Sequence, residues 1–466
     1  MSSGRGDTRV DWYRQGVVAL LTLGVQSASV WAITPVLTRV LPADAYGAVA
    51  QNMVVAVTLG QLLSLGLATA IVRLHHDLGD PVSARLVGTG IFGAALVGGL
   101  LALTPHLLQP VLAQGASHRM VRLVVMLSVA LAGANLIAVQ LRSAGKGLAA
   151  GALALTPSVI SPVAGIVMVE VSGATADAYF LGASCFAGVF VTTAWWTLGL
   201  SVGLDRRTAG RALRLSLPTL PHLAGRQLLD VGDRVVVGAV LGSVAVGQYH
   251  AAYLMGAAPF LLLGAVNNAW APSVFSRPGS QRIGYVRNGS LHLVRLAVSA
   301  AVSVACLAPF VLPIIYPGSG REMVQVTAVV VVAAPAQAVY LVGSAALLSV
   351  ERVTAIAVCS VGAALLNIGL TIVLAPMGLA AVAVSTTVAV ALLSVTVYWF
   401  ARKQAGLPRL DGIFPLVVVA MSAVGVLMVA PEPPTWPWMI LRVVVLAAAV
   451  ATGQRSLRAS FRGFGG

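Results

Sequence analysis

Two arginines and two aspartates, Arg226, Asp230, Asp233 and Arg234, fall within nine positions of a chain in which only 9% of residues are charged. Residues three, four, seven or eight apart share a helix face. At about 100° per residue, these four fall with His222 and Gln227 inside an arc of roughly 140°. Leu228, Leu229, Val231, Val235 and Val236 cover most of the remaining surface. Two kinds of chemistry fit such a stripe. Arg226–Asp230 and Asp230–Arg234 are i,i+4 pairs that can neutralise each other across one turn. Alternatively, the guanidinium groups of Arg226 and Arg234 are free to recognise phosphate oxygens through paired hydrogen bonds. Asp230 and Asp233 are then candidates for structural charge or for carrying a coupled proton or sodium ion.

The elements that must position these residues are set by hydrophobicity. The chain has 466 residues, 58% of them hydrophobic, and a mean hydropathy of +0.92. A soluble domain carries about 25% charged residues. The apolar residues form blocks of about twenty, the length of a helix crossing ~30 Å of hydrocarbon. They do not alternate in the ten-residue pattern of a β-barrel. The spacing predicts an all-α polytopic membrane protein with about 14 transmembrane helices, near 17–38, 46–68, 86–105, 120–140, 149–169, 178–200, 214–240, 247–269, 291–315, 325–348, 353–374, 379–401, 412–430 and 437–454. The charged stripe then lies in the seventh span. Each ionised residue facing lipid at the membrane centre costs about 2.5–3.5 kcal/mol, so the stripe must face protein or a hydrated cavity.

Arginine and lysine settle the expected orientation. With a cytoplasmic N-terminus and a retained first helix, 21 of them fall in cytoplasmic segments and 5 on the opposite side, Arg442 among the latter. Both termini are therefore expected in the cytoplasm. The net charge of +15 follows from that distribution and not from nucleic-acid binding, since no basic domain exists outside the apolar blocks. Arginine outnumbers lysine 27 to 2, a bias that suggests a GC-rich bacterial genome. Cys185, Cys306 and Cys359 each sit in an apolar run, form no CxxC pair and read as small buried residues.

VLPADAYG (Val40–Gly47) and VLGSVAVG (Val240–Gly247) share Val, Leu, Ala and Gly at a spacing of 200, each linking a long span to the next. An even offset of six spans predicts two six-helix lobes related by a parallel pseudo-two-fold axis, a repeat type that puts the transported molecule between the halves. The expected divisions are 1–200, 201–402 and 403–466, the last holding spans 13 and 14. Arg295 in span 9 and Arg73 at the end of span 2 are further candidates for a positive cavity, Arg73 reading equally as an inside-positive flank. Pro218 and Pro221 open span 7; they are candidate hinge residues or a distortion of the helix start. His75 and His76 fit a solvated loop better than a metal site. No P-loop, HExxH, CxxC or GxSxG motif is present. No enzyme, cofactor or metal centre is expected.

The run SLPTLPHLAGRQLLDVGDRVVVGAVLGSVAVGQYHAAYLMG (Ser216–Gly256) resembles the seventh and eighth helices of the Wzx-type polysaccharide flippases. Pro218, Pro221, Asp233, Arg234, Gly238, Gly247, Tyr249, Ala252 and Tyr253 match that family's pattern. TRVLPADAYGAVA (Thr38–Ala50), GLATAIVR (Gly66–Arg73) and LNIGLTIVLAPMGLAAVAVSTTVA (Leu366–Ala389) resemble its first link, the end of its second helix and its eleventh–twelfth hairpin. The turn Pro376-Met377-Gly378 is one residue shorter than the family's. Ser349 to Arg352 stand where the family commonly has a Gly-Lys pair.

The resemblance implies a member of the multidrug/oligosaccharidyl-lipid/polysaccharide superfamily, with two six-helix lobes around a central cavity plus two C-terminal helices. It implies translocation of an undecaprenyl-pyrophosphate-linked oligosaccharide across a bacterial cytoplasmic membrane by alternating access. The expected partners are that lipid-linked substrate, the bilayer, and the polysaccharide polymerase and glycosyltransferases that share the work. Arg226, Arg234 and Arg295 are the candidates for the diphosphate; Gln26, Asn135, Gln140 and Asn267 are those for sugar hydroxyls. A lipid II flippase, a cation-coupled drug exporter of the same superfamily and a non-transporting scaffold for polysaccharide synthases are the alternatives.

Overall fold

Backbone amides in hydrocarbon have no water to bond to, so a spanning segment must satisfy them internally. The computed structural model describes residues 4–217, 220–275, 277–350, 352–409, 421–422, 424–425 and 436–464, and the described residues form helices, short turns and no strand. They divide into two compact units, Met1–Gln227 with Gly242–Gly247, and Leu228–Leu241 with Gln248–Gly466.

The first unit holds α1 (Gly4–Val40), α2 (Ala43–Leu63), α3 (Leu67–Leu78), α4 (Asp80–Leu103), α5 (His118–Ser143), α6 (Gly147–Ala154), α7 (Ser161–Ser172), α8 (Ala176–Thr197) and α9 (Arg206–Ser216). Helix α10 (Leu220–Leu241) divides between the units. Helix α5 is the centre of the first unit, packing against α2, α3, α4, α6 and α8. Small residues permit close approach, as is usual where helices pack without a hydrophobic driving force. Gly165 on α7 leaves room for the buried Tyr179 ring, and Gly182 on α8 lies against the Ala164 carbonyl.

Helix α11 (Ser243–Gly256) likewise divides between the units, and the second unit continues with α12 (Ala258–Phe275), α13 (Gly279–Ile315), α14 (Arg321–Ser349), α15 (Val353–Leu374), α16 (Leu379–Ala405) and α17 (Trp436–Phe464). Helix α14 is its centre, packed between α13 and α16, while α17 lies along α13. The core includes Trp270, Tyr340, Leu347, Leu393 and Tyr398. Helices α5 and α14 cover the fourth and tenth predicted spans, six apart, and are equally deep in their own units. That equivalence suits a duplicated six-helix unit.

The two link sequences meet within the first unit. The matched glycines of the two link sequences touch: a Cβ on Gly247 would lie 3.3 Å from Gly47 Cα and 2.9 Å from the Tyr46 ring. A Cβ on Gly47 would lie 1.7 Å from the Ser243 carbonyl oxygen. Glycine is required on both sides for the chains to approach this closely.

Ten described helical segments are long and apolar enough to cross a membrane, or eleven if the bent pair α11 and α12 counts as one. The protein is a multi-pass membrane protein. Helices α1 and α10 occupy the first and seventh predicted spans, and most of the thirteenth, 412–430, lies outside the described residues. Several boundaries differ from the hydropathy reading. Helix α1 begins at Gly4 and α13 at Gly279, because apolar periodicity marks hydrocarbon depth and not the end of hydrogen bonding. The second span breaks at Leu65 (φ 49°) and Gly66 (φ 64°), then continues as α3 to Leu78. His75 and His76 therefore sit in a helix, not in a loop.

Candidate functional site

In α10 the adjacent Asp233 and Arg234 are both buried, Asp233 completely. Gly242 (φ 86°) turns the chain directly into α11, whose Tyr249 and Tyr253 share a face at i,i+4. Asn367 and Thr371 are likewise one turn apart on α15, and Ser385 and Thr386 lie in the second turn of α16. These side chains from four helices of the second unit meet around the Asp233 carboxylate.

One carboxylate oxygen, Oδ1, accepts the Arg234 backbone N–H at 2.8 Å and lies 3.6 Å from the Arg234 guanidinium. The other, Oδ2, accepts the Tyr249 hydroxyl at 2.7 Å and lies 3.3 Å from Thr386 Oγ1. Thr386 has one proton and a second acceptor, Asn367 Oδ1, at 3.4 Å. Ser385 Oγ lies 3.2 Å from the same Asn367 oxygen and 2.7 Å from Thr371 Oγ1. Asn367 Nδ2 points to the Leu229 carbonyl at 3.4 Å. Arg234 completes the cluster, its guanidinium carbon 4.5 Å from the centre of the Tyr253 ring. A cation over a ring face gains about 0.5–2 kcal/mol. The cluster joins one acid, one base and a set of hydroxyls whose protons can be redistributed among several acceptors.

The remaining sequence candidates are dispersed. Arg226, Asp230 and Pro221 lie in α10, their side chains outside the described residues, and Pro218 lies outside them altogether. The proposed Arg226–Asp230–Arg234 ladder therefore has only Arg234 on view, and that residue bonds Asp233. Arg295 on α13 is half-buried, with no ion pair or side-chain hydrogen bond among the described residues. Asn267 on α12 is half-buried.

In the first unit, Arg73 on α3 and Asn135 on α5 are exposed. Gln26 donates to the Ala154 carbonyl at the end of α6, and Gln140 is buried with its amide 3.5 Å from Asp80 Oδ1. These two amides have protein partners in place of an open face. Arg442, counted from sequence as an outer flank, is buried on α17 with its guanidinium 5.9 Å from the Phe310 ring of α13.

Asn367, Thr371, Ser385 and Thr386 were not chosen from sequence as site residues. Their signal was present as polar residues at helical spacing within apolar spans, in LNIGLT and VSTT. Among the described residues no group of three or more His, Cys, Asp or Glu side chains could hold a metal ion.

A family model described as polysaccharide biosynthesis protein matches residues 36–319. The chain belongs to that family. The match contains Asp233, Arg234, Tyr249 and Tyr253, while Asn367 and Thr386 lie beyond it. Among solved structures, the chain is similar to one described as lipid II flippase MurJ in an inward closed conformation. That match has a TM-score of 0.69 and 14% identity, covering 95% of this chain and 99% of the other. It is also similar to an inward-facing multidrug resistance MATE family transporter of the MOP superfamily, with a TM-score of 0.60 and 14% identity over 86% of this chain and 98% of the other. A MATE structure in complex with Br-NRF gives a TM-score of 0.53 at 13% identity, over 88% and 97%. At these identities the likeness establishes the fold alone. No curated protein sequence matches the chain. The chain thus shares the fold of those MurJ and MATE structures, as the Wzx-type resemblance implied.

Proposed function

We propose that the protein is a flippase that moves an undecaprenyl-pyrophosphate-linked oligosaccharide across the bacterial cytoplasmic membrane for surface polysaccharide biosynthesis. One observation carries this reading: a polysaccharide biosynthesis family member has the fold of a lipid II flippase over 95% of its length. Fold alone does not fix a function; the family supplies the pathway and the fold supplies a transporter. The work is alternating access between lobes 1–200 and 201–402, with 403–466 adding the last two spans, and it needs no covalent step. Both termini are cytoplasmic, and the polymerase and glycosyltransferases of the pathway are the partner enzymes.

Arg295, half-buried and with no carboxylate partner among the described residues, is suited to the diphosphate, with Arg226 and Arg73 as further cations. Arg234 is already engaged by Asp233 and Tyr253. It acts by holding the Asp233 carboxylate in place, and Asp233 is the candidate for ion or proton coupling. Deleting the gene should abolish display of the surface polymer, and plasmid-borne wild type should restore it. Arg295→Ala should fail to restore display while reaching the membrane at wild-type level. Normal display in the deletion strain would overturn the reading.

The similarity to a lipid II flippase structure favours a second reading, transport of that peptidoglycan precursor. Rescue of a strain depleted of its own lipid II flippase separates the two. Under the first reading the protein does not rescue.

A further inference from the structure

The first unit contains a groove of about 640 Å³ that the sequence did not reveal. It runs along α3 and meets the last turns of α5. Thr69, Val72 and His76 line it from α3, and Val139, Arg142 and Ser143 line it from α5. Its volume is within the ~300–1,000 Å³ typical of small-molecule sites. Helical spacing explains the convergence: 69, 72 and 76, like 139, 142 and 143, each share a face.

The acids near this groove are already committed. Asp77 pairs with Arg211 of α9 at 2.5 Å, and Asp80 lies 3.6 Å from His75 and 3.5 Å from the Gln140 amide. Among the described residues Arg142 has no ion pair or side-chain hydrogen bond, and the His76 ring meets that of His75 nearly at right angles, 5.6 Å between centroids. The groove therefore combines a permanent cation, an imidazole and two hydroxyls with an apolar wall formed by Val72 and Val139. That combination suits an anionic head attached to an apolar tail, and guanidinium is the side chain best matched to phosphate oxygens.

We propose that this groove is a docking site for the diphosphate of a lipid-linked cargo, with Arg142 and His76 holding the phosphate oxygens and Val72 and Val139 receiving the first part of the tail. The proposal rests on the flippase reading, and on the orientation inferred from the arginines it places the site at the cytoplasmic end of the first unit. Residues assigned from sequence to an inside-positive flank and to a solvated loop then make one binding surface.

The test is calorimetric titration of purified full-length protein, in nanodiscs of zwitterionic lipid, with geranylgeranyl diphosphate and separately with inorganic pyrophosphate. Wild type should bind the prenyl diphosphate, and more tightly than pyrophosphate. Arg142→Ala should weaken that binding about tenfold or more, the scale of one charge-assisted contact. Arg142→Lys should recover part of it, and His76→Gln provides a second variant should Arg142→Ala not fold. Absence of wild-type binding, or unchanged binding in the folded variants, would overturn the groove. Equal affinity for pyrophosphate would overturn its assignment to a lipid-linked head. If the groove variants bind normally while gene deletion still abolishes polymer display, the groove falls and the flippase reading stands. If deletion leaves display intact, the flippase reading falls.

Discussion

Tyr249 on α11 donates a 2.7 Å hydrogen bond to Asp233 on α10, two fully buried residues sixteen positions apart. The bond fixes the α10–α11 hairpin by its polar atoms, where apolar packing alone would allow sliding. A buried carboxylate is tolerated only when its oxygens are satisfied, and Tyr249 supplies the shortest bond that Asp233 receives from another helix.

Tyr249→Phe keeps the ring and removes the donor. A hydrogen bond to a charged group contributes about 1.5–3 kcal/mol, so the variant should unfold at lower temperature in detergent. An unchanged melting temperature would show that Asp233 does not depend on this hydroxyl.

Asp233 and Arg234 should behave as a pair. Removing one partner of a buried ion pair costs about 3–5 kcal/mol, since it strands the other charge. Arg234→Gln and Asp233→Asn should each lower stability more than half as much as the double variant, and a double-mutant cycle should give a non-zero coupling. Simple additivity would mean that the two charges are stabilised independently.

Gly47→Ala should destabilise the protein, because the added Cβ would lie 1.7 Å from the Ser243 carbonyl oxygen. Backbone cannot yield as a flexible side chain can, so the cost should reach or exceed the ~1–3 kcal/mol of core overpacking. Gly93→Ala, where a Cβ meets nothing within 4 Å, is the control. Expression level and melting temperature should separate the two variants.

Asp205 sits at the start of α9, its carboxylate accepting the Thr208 backbone N–H at 3.0 Å. Its hydrogen bonds with the Thr208 side chain and backbone hold its pKa below the ordinary 3.8. A depressed acid contributes stability above its unfolded pKa and loses it as pH falls through the folded value. Hydrogen exchange in the first turn of α9 should therefore change only below about pH 4, after correction for intrinsic rates. Asp205→Asn, also a good N-cap, should remove that pH dependence while keeping protection at pH 7.

The membrane class, the helical fold and the order of the spans were legible in the sequence, because span length and insertion cost are properties of local composition. Asp233 and Arg234 were legible for the same reason: two charges in an apolar helix need partners. Their partners were not. Asn367, Thr371, Ser385 and Thr386 are ordinary polar residues one turn or one step apart, and only the packing of α15 and α16 against α10 brings them to the carboxylate. The break at Leu65 and Gly66 was equally hidden, since a reversal in φ leaves hydropathy unchanged. Arg142 and His76, 66 positions apart in the sequence, became one surface through the contact of α3 with α5. The sequence determined what must be buried; the tertiary structure decided what each buried charge would meet, because a helix fixes neighbours on its own face but not across to the next helix.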